Sequence, residues 1–319
     1  MKVALVHHCK LPVYGYGGTE RVIWWLAKGL YELGVKVTLA CKKGSHCPFA
    51  EVFPVGATSV ETQLRGVQLF HYFSTPSRLP QNPYLVTIGG NGKLGELFLP
   101  NTVFVSRNHA ERHHADCYVY NGLDPTEYQY CNKKERYLVF LSKASWRVKN
   151  VRGAIQMARK SHLPLRILGG SRFFLKVWRG VHWEGTVGGK KKSQLLSQAM
   201  ALLFPVIWNE PFGIAVVEAL VSGTPVVASK RGSLPELVGQ DVGRLCESEE
   251  DFLTSLSEIE TIRPELCRDW ALDRFHYQSM ARKYLELYER VLEGESLNRS
   301  CPTASEPPEK IYPLSSHTQ

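Results

Sequence analysis

The amino-acid sequence predicts an α/β protein with two domains, in which strands and helices alternate along the chain. Two observations carry this prediction. Short apolar runs typical of buried strands alternate with segments of helical apolar spacing in both halves of the chain. The 319 residues are also enough for two ordinary domains, since one domain takes roughly 100–200 residues.

The first elements show the alternation most clearly. Lys2–Val6 is a short apolar run that predicts a buried strand, and a glycine-rich loop follows at residues 14–20. A helix is predicted next, with Thr19 as its N-cap, and Val35–Ala40 predicts a second strand. The apolar residues that define the helix are Val22, Trp25, Leu26, Leu30 and Leu33. Strand, loop, helix and strand form a βαβ unit, which indicates a parallel, Rossmann-like sheet.

The remaining elements follow the same alternation. Further strands are predicted at Gly66–Phe73, Tyr84–Ile88, Thr102–Ser106, Tyr137–Leu141, Leu165–Leu168, Ala201–Phe204 and Pro225–Ser229. Further helices are predicted at Val151–Lys160, Lys191–Ala199, Gly213–Ser222 and Trp270–Leu292.

A turn signal at Asn121–Pro125 divides the chain. We therefore predict one Rossmann-like domain at residues 1–125, a second at 126–270 and a C-terminal helix at 271–292 that crosses back to the first domain. Residues 293–319 are polar and contain several prolines, which predicts a disordered tail.

Composition limits the classes of function. The formal net charge is +9, but no zinc-finger spacing or helix-turn-helix pattern accompanies it, so we expect no nucleic-acid partner. No apolar run reaches the ~18 residues that a membrane span needs. The eight cysteines include no C-x-x-C pair, which favours free thiols in a reducing compartment and a cytoplasmic location.

Two basic segments have alternative interpretations. Arg107, Arg112, His113 and His114 form a basic stretch that could contact the anionic inner face of a membrane as a peripheral site. The stretch also contains His109, which raises the alternative of a metal site. We prefer the interpretation that the stretch is a solvated or acceptor-facing helix. The run Lys190–Lys192 is predicted to be a solvated helix start.

The most informative segment runs from Pro205 to Gly239 and contains two glutamates. Glu210 precedes Pro211 and Gly213, so it is expected in a loop, whereas Glu218 is expected inside the helix that begins near Gly213. A helix N-terminus offers free N–H groups and a positive dipole end, which suits a phosphate. A glutamate one turn further along the helix can accept hydrogen bonds from ribose hydroxyls.

This segment resembles the E-x7-E motif of retaining glycosyltransferases with the GT-B fold, in particular glycosyltransferase family 4. The resemblance extends to about Leu292 and is strongest from Val181 to Leu245. Other segments that resemble the family, in the family's order, are Gly17–Glu20, Asn121–Asp124, Leu168–Gly170, Trp183–Val187 and Gly232–Val238. The family fold implies two Rossmann-like domains that face each other across a cleft, with the acceptor on the first and the donor on the second.

The resemblance also implies roles for individual residues. Glu210 is expected to contact the donor sugar, Glu218 the ribose, and Lys149 the diphosphate, with Lys143 or Arg147 as the second basic residue. Further donor-binding residues implied by the motifs are Gly17, Gly18, Gly185, Thr186, Val187, Phe212, Gly213, Ile214 and Val217. His71 matches a family histidine position, and we count it among the expected catalytic residues.

The implied reaction is a metal-independent transfer of a sugar from a nucleoside diphosphate, with UDP as the expected carrier and with retention at the anomeric carbon. The sequence contains no D-x-D motif, so lysines and the helix dipole are expected to stabilise the leaving diphosphate without a metal or other cofactor. The expected acceptor is a carbohydrate or glycolipid, such as a lipid-linked or cell-surface polysaccharide precursor.

One departure from the family keeps alternatives open. Thr87-Ile88-Gly89-Gly90 has glycine at position 89, where the family often has a histidine that meets the donor sugar. A degenerate GT-B protein that binds nucleotide sugar, or serves as an interaction module, is the alternative from another class. A phosphorylase or a synthase that acts on a free sugar would share the same site.

Overall fold

The computed structural model describes residues 1–15, 17–56, 60–170 and 179–314. Tyr16 of the glycine-rich loop and residues 315–319 of the predicted tail lie outside the described residues. The described chain divides into two compact units. Unit 1 holds residues 1–13, 17–56, 60–123 and 275–308, and unit 2 holds residues 14–15, 124–170, 179–274 and 309–314.

Unit 1 is built on a six-stranded parallel sheet. Its strands are β1 (Lys2–Val6), β2 (Lys36–Cys41), β3 (Glu51–Pro54), β4 (Leu69–Tyr72), β5 (Tyr84–Ile88) and β6 (Thr102–Phe104). The strand order is β3-β2-β1-β4-β5-β6. Helices α1 (Gly18–Glu32), α2 (Val60–Gln63) and α3 (Arg107–Arg112) connect the strands or follow them. The central strands are almost entirely buried, as expected for a parallel sheet with both faces covered.

Unit 2 is built on a second six-stranded parallel sheet. Its strands are β7 (Glu135–Leu141), β8 (Leu165–Leu168), β9 (Val181–Gly185), β10 (Ala199–Phe204), β11 (Val226–Ser229) and β12 (Gly243–Cys246). The order is β12-β11-β10-β7-β8-β9. Counted from its own first strand, each sheet therefore has the doubly wound order 3-2-1-4-5-6 of a Rossmann fold.

Helices cover the sheet of unit 2. The α-helices are α4 (Val151–Lys160), α5 (Gly189–Gln198), α6 (Ile214–Val221), α7 (Leu234–Leu237), α8 (Glu249–Glu258) and α9 (Pro264–Arg274). Short 3₁₀ helices lie at Pro125–Glu127, Arg147–Lys149 and Ile259–Thr261. Among the described residues, no helix combines the length and the apolar character that a membrane span requires.

The last helix, α10 (Tyr277–Leu292), belongs to unit 1 and packs against α1. A Cβ added to Gly29 would lie 2.6 Å from the Cβ of Ala281, so glycine lets the two helices approach closely. The sequence predicts one continuous helix from Trp270, but the structure ends α9 at Arg274 and starts α10 at Tyr277. The chain is extended between them because Leu123 exchanges backbone hydrogen bonds with Phe275 and Tyr277.

The segment predicted to be a disordered tail is folded onto unit 1 as far as residue 304. Leu297, Asn298 and Ala304 are buried. The Asn298 side chain donates to the carbonyl oxygens of Pro100 and Thr102 and accepts from the amide of Asp116. The polar composition therefore does not indicate disorder here, because Asn298 and backbone bonds such as that from the Ala304 amide to the Glu96 carbonyl oxygen join the segment to unit 1.

The strand order predicts a ligand site at the carboxyl ends of the strands of unit 2. The order reverses between β7 and β10, which are neighbours in the sheet. Open α/β sheets bind ligands outside the carboxyl ends of the strands at such a reversal. The loops that leave these two strands contain Lys149 and Glu210.

Candidate functional site

A buried ion pair joins the two loops at the strand reversal of unit 2. The Lys149 ammonium donates a hydrogen bond of 2.6 Å to Oε2 of Glu210, and each side chain is only 8% exposed. Trp208 Nε1 donates to the same oxygen at 2.7 Å. Among the described residues, Lys149 makes this one hydrogen bond, although an ammonium has three donors. Two donors therefore remain for a ligand.

Local backbone geometry fixes the position of Lys149. It ends the 3₁₀ helix Arg147–Lys149, and Asn150 follows in the left-handed region with φ of 56°. The Asn150 side chain caps α4 by accepting from the Gly153 amide, and it donates to the carbonyl oxygen of Pro205. One asparagine thus connects the loop after β7 to the loop after β10.

Aromatic rings surround the Lys149 ammonium. Its nitrogen lies 4.6 Å from the ring centre of Trp208, 5.4 Å from Trp146 and 5.6 Å from Phe204. Ring faces attract a cation, so they offset part of the lost hydration without occupying its hydrogen-bond donors. The sequence predicts Lys149 but none of these rings.

Gly232 lets a third loop lie directly on Glu210. Its φ is +59°, and a Cβ there would lie 2.3 Å from the carbonyl oxygen of Glu210 and 2.4 Å from its nitrogen. The Ser233 amide donates to that same carbonyl oxygen at 3.0 Å. A residue with a side chain at position 232 would therefore displace the Glu210 loop.

The N-terminus of α6 follows Glu210 as predicted. Gly213 precedes the helix with φ of 92°, and Phe212 is fixed because Ser233 Oγ donates to its carbonyl oxygen. Ile214 is partly exposed at the first turn, where backbone amides are free to bind an anion. Val217 is fully buried, so its side chain belongs to the core of unit 2 and not to a ligand-facing surface, contrary to the prediction.

Glu218 lies inside α6 and forms a second buried ion pair. Lys192 Nζ and the Tyr128 hydroxyl both donate to its Oε1, the latter at 2.5 Å. The prediction that Lys190–Lys192 is a solvated run is wrong for Lys192, which is buried because α5 turns this side chain towards α6. Lys190 and Lys191 are exposed.

Three of the residues predicted to bind the donor lie at the end of β9 and directly after it. Gly185 ends the strand with φ of 73°, Thr186 is exposed, and Val187 is partly exposed. Gly15 lies near Thr186, since a Cβ on it would be 3.4 Å from the Thr186 methyl group. At Glu184, burial raises the pKa, but hydrogen bonds from Lys191 and Arg166 outweigh burial and lower it.

Lys143 and Arg147 are exposed, and in the described part of the chain neither forms an ion pair. The structure therefore separates the three basic candidates: Lys149 is buried beside Glu210, and the other two lie on the surface of the same loop.

In unit 1, Gly17 precedes α1 with φ of 156° and Gly18 is its first residue, so Gly17 takes the N-cap position predicted for Thr19.

His71 is not placed to contact a substrate, contrary to the prediction. It is fully buried in β4, and its ring nitrogens bond to the hydroxyls of Tyr288 and Thr87, both at 2.7 Å. Burial lowers its pKa to about 3. The histidine is therefore a neutral packing residue of unit 1.

Two other histidine groups have different surroundings. His109 lies in α3 and His113 caps the C-terminus of this helix; both are buried, and the two ring nitrogens of His113 lie 2.8 and 2.9 Å from carbonyl oxygens. Arg107 and Glu111 of the same helix are exposed, so the helix has one solvated side. After β1, side-chain ligand atoms of His7, Cys9 and Glu20 lie within 4.8 Å of one another. Burial first, and then the charge of Glu20, raises the pKa of Cys9 to about 12.

The end of the described chain lies on the Glu210 loop. The Tyr312 amide donates to the carbonyl oxygen of Ile207 at 2.7 Å, and Asn209 donates to the Tyr312 hydroxyl at 3.3 Å. Trp146 Nε1 donates to a carboxylate oxygen of Glu309 at 2.5 Å. No local pattern in the sequence predicts these contacts, because the two side-chain bonds join residues 103 and 163 positions apart.

A family model matches part of the chain. Residues 129–271 match the family model described as Glycosyl transferases group 1. This range contains Lys149, Lys192, Glu210 and Glu218. The matched part is similar to a group 1 glycosyltransferase domain, and the two parallel six-stranded sheets have the GT-B fold.

Curated relatives match parts of the chain. An "MMP alpha-(1->4)-mannosyltransferase" of Mycolicibacterium hassiacum is 34% identical over 122 residues, which cover 35% of this chain and 29% of the relative. A "GDP-Man:Man(3)GlcNAc(2)-PP-Dol alpha-1,2-mannosyltransferase" of Mus musculus is 34% identical over 97 residues, covering 28% and 19%. The chain covers less than half of the length of the curated relatives that it matches.

Solved structures match over nearly the whole chain. AviGT4, a glycosyltransferase involved in avilamycin A biosynthesis, is 27% identical with a TM-score of 0.77, covering 92% of this chain and 98% of its own. HepE of Anabaena in complex with UDP-glucose has a TM-score of 0.66 over 91% and 99%, and its identity of 16% shows the fold alone.

Proposed function

We propose that the protein is a retaining, metal-independent glycosyltransferase that moves a sugar from a nucleoside diphosphate, with UDP as the carrier, to a carbohydrate or glycolipid acceptor. The observation that carries the proposal is the buried Lys149–Glu210 pair at the strand reversal of unit 2. The names of two curated relatives that match this chain in part, both mannosyltransferases, support sugar transfer.

Lys149 is proposed to stabilise the leaving diphosphate. Breaking the bond between sugar and phosphate leaves negative charge on the diphosphate, and a fixed cation lowers the energy of that state. Lys149 uses one donor on Glu210 among the described residues, which leaves two for phosphate oxygens. The free amides at the start of α6 supply further donors of the same kind.

Glu210 is proposed to bind the donor sugar. Lys149 and Trp208 both donate to Oε2, and Oε1 has no hydrogen-bond partner among the described residues. That oxygen can accept from a sugar hydroxyl while Oε2 keeps the carboxylate in place. We propose same-face substitution without a covalent intermediate, in which the acceptor oxygen bonds to the anomeric carbon as the bond to the diphosphate breaks, and the hydroxyl proton passes to the departing phosphate oxygen. Glu218 is proposed to accept from the ribose hydroxyls.

Release of nucleoside diphosphate tests the proposal. The full chain is incubated with UDP-hexoses and GDP-hexoses, with and without oligosaccharide or glycolipid acceptors, and released UDP or GDP is quantified. Acceptor-dependent release supports a transferase, and NMR of the product shows whether the anomeric configuration is retained. Binding of either nucleotide without turnover would instead support the nucleotide-binding module.

Matched carboxylate variants assign the two glutamates. Glu210→Gln should lower turnover by about a hundredfold, on the scale of losing one preorganised electrostatic contact, while UDP still binds. Glu218→Gln should weaken UDP binding by about 1–3 kcal/mol, the range for a hydrogen bond to a charged group. Glu258→Gln, at the exposed end of α8, is the control. Unchanged turnover in Glu210→Gln would remove the proposed role of this residue.

Metal independence is tested by chelation. We expect turnover to survive EDTA, since protein cations and the α6 N-terminus take the place of a metal. Loss of turnover in EDTA that Mn²⁺ restores would contradict the proposed mechanism. The same experiment on Cys9→Ser shows whether such an effect arises at the His7, Cys9 and Glu20 cluster.

A further inference from the structure

Lys192 differs from the two lysines that precede it. Its side chain is 6% exposed, whereas that of Lys191 is 59% exposed, and Lys190 also lies on the surface. Burying an ammonium is unfavourable unless a partner compensates for its lost hydration. The position of Lys192 therefore implies a specific partner, which is Glu218 in the neighbouring helix.

Three elements of unit 2 meet at the carboxylate of Glu218. Lys192 comes from α5, Glu218 from α6, and Tyr128 from the segment that enters unit 2 after the 3₁₀ helix Pro125–Glu127. The Gln129 amide donates to Ser193 Oγ at 2.5 Å, so the backbone beside Tyr128 is tied to α5 next to Lys192. The two residues that donate to Glu218 are therefore also connected to each other through their chain neighbours Gln129 and Ser193.

Both donors act on one oxygen of the carboxylate. Lys192 Nζ and the Tyr128 hydroxyl each donate to Oε1 of Glu218, and the ammonium lies 5.3 Å from the Tyr128 ring centre. Two donors from different directions restrict rotation of the carboxylate. The ammonium also favours the ionised form of a group that is only 5% exposed.

We propose that Lys192 and Tyr128 are positioning residues that keep Glu218 ionised and oriented to accept hydrogen bonds from ribose hydroxyls. They thereby make the site selective for ribonucleotides over 2′-deoxyribonucleotides. The inference rests on the proposed function, because it assumes that Glu218 meets the ribose. Lys192 acts through the carboxylate and does not contact the nucleotide.

The ratio of the affinities for UDP and 2′-deoxy-UDP tests whether Lys192 and Tyr128 position Glu218. Dissociation constants of UDP and 2′-deoxy-UDP are measured by calorimetry for the full chain, with GDP and 2′-deoxy-GDP as the pair if the protein binds GDP instead. The wild type should prefer the ribonucleotide by about tenfold, on the scale of one hydrogen bond to a charged group. A merely structural residue would change both affinities equally.

Lys192→Met should abolish most of this preference by weakening UDP binding more than 2′-deoxy-UDP binding, because the deoxy analogue lacks the 2′-hydroxyl and so loses one of the bonds that the carboxylate accepts. Tyr128→Phe should also reduce the preference for UDP. Lys192→Arg should retain part of the preference, because arginine keeps the positive charge. Lys190→Met, an exposed neighbour, should bind as the wild type does. If Lys192→Met does not fold, Tyr128→Phe and Lys192→Arg give the same comparison.

The outcomes that would overturn the inference can be distinguished from failure of the proposed function. Equal weakening of both nucleotides in Lys192→Met and Tyr128→Phe, or no weakening, removes the positioning role. If Glu218→Gln lowers the preference but the Lys192 and Tyr128 variants do not, the ribose assignment stands and only the positioning role fails. If Glu218→Gln also keeps the wild-type preference, the proposed ribose site itself is wrong.

Discussion

His71 is surrounded by aromatic side chains in the centre of unit 1. Its ring stacks on Phe73 with 4.3 Å between ring centres, and it lies 4.9 Å from Tyr284 and 5.7 Å from Tyr288. Burial holds its pKa at about 3, against 6.5 for an ordinary histidine. Between these two values the unfolded chain binds a proton that the folded chain does not.

This difference predicts a pH-dependent stability. Because the folded pKa is lowered, the contribution of His71 is fully present above pH 6.5 and is lost as pH falls towards 3. His71→Gln should flatten the pH dependence of the unfolding free energy by up to about 1.4 kcal/mol per pH unit in this window. Urea unfolding from pH 7 to pH 4 measures it, with His46→Gln, an exposed position of unit 1, as control. Parallel curves for wild type and His71→Gln would contradict the prediction.

Lys149 leads to a second prediction at this scale. Lys149→Met should reduce turnover by about tenfold or more, because the leaving diphosphate loses a fixed positive charge. Lys143→Met and Arg147→Met are controls from the surface of the same loop and should each reduce turnover less. Thermal unfolding is measured in parallel, since Lys149→Met also leaves Glu210 without its buried partner. A larger loss in Lys143→Met would return the role to the exposed lysine.

The sequence predicts some site residues because each lies in a recognisable local segment. Glu210, Glu218 and Lys149 are recognisable from neighbouring prolines, glycines and a preceding strand. The partners of Glu218 are separated from it by 26 and 90 residues along the chain, so no local pattern identifies them. His71 shows the converse, since a family position does not reveal whether a side chain is buried.

At the scale of elements, burial decides which strands the sequence predicts. The sequence does not predict β3, β9 and β12, which are edge strands with partly exposed residues and short apolar patterns. The fully buried β10 and β11 are predicted because their apolar runs are uninterrupted. The break between α9 and α10 is missed because it depends on pairing with the distant Leu123.

The loop at Gly232 leads to a prediction about how elements pack. Gly232→Ala places a Cβ against the backbone of Glu210 in addition to the strain of a positive φ, which costs roughly 1–2 kcal/mol for a residue with a side chain. Gly189→Ala is the matched control, because Gly189 also has a positive φ and a Cβ there would meet nothing within 4 Å. Gly232→Ala should therefore be less stable in urea than Gly189→Ala and should lose turnover. Equal stability and full turnover would show that the loop moves aside freely.

At the scale of the whole molecule, each unit repeats the same strand order, and both arise from the alternation seen in the sequence. The formal net charge of +9 is also a property of the whole surface. The basic stretch of unit 1, which consists of Arg107, Arg112, His113 and His114, contributes less positive surface charge than the sequence alone suggests. His113 is buried, Glu111 is exposed within the stretch, and Arg107 bonds to the Tyr118 hydroxyl.

These features predict how the protein meets an anionic membrane. Binding to phosphatidylserine vesicles should appear at low salt and disappear as salt screens the surface, since one basic residue near such a surface contributes about 1 kcal/mol. Arg107→Gln should weaken vesicle binding no more than Lys36→Gln, because the negative charge of the exposed Glu111 reduces the positive potential of the basic stretch. Lys36 is another exposed basic residue of unit 1. Co-sedimentation at several salt concentrations measures both. A markedly larger effect of Arg107→Gln would establish the stretch as a local membrane site, and absence of binding at low salt would favour an acceptor away from membranes.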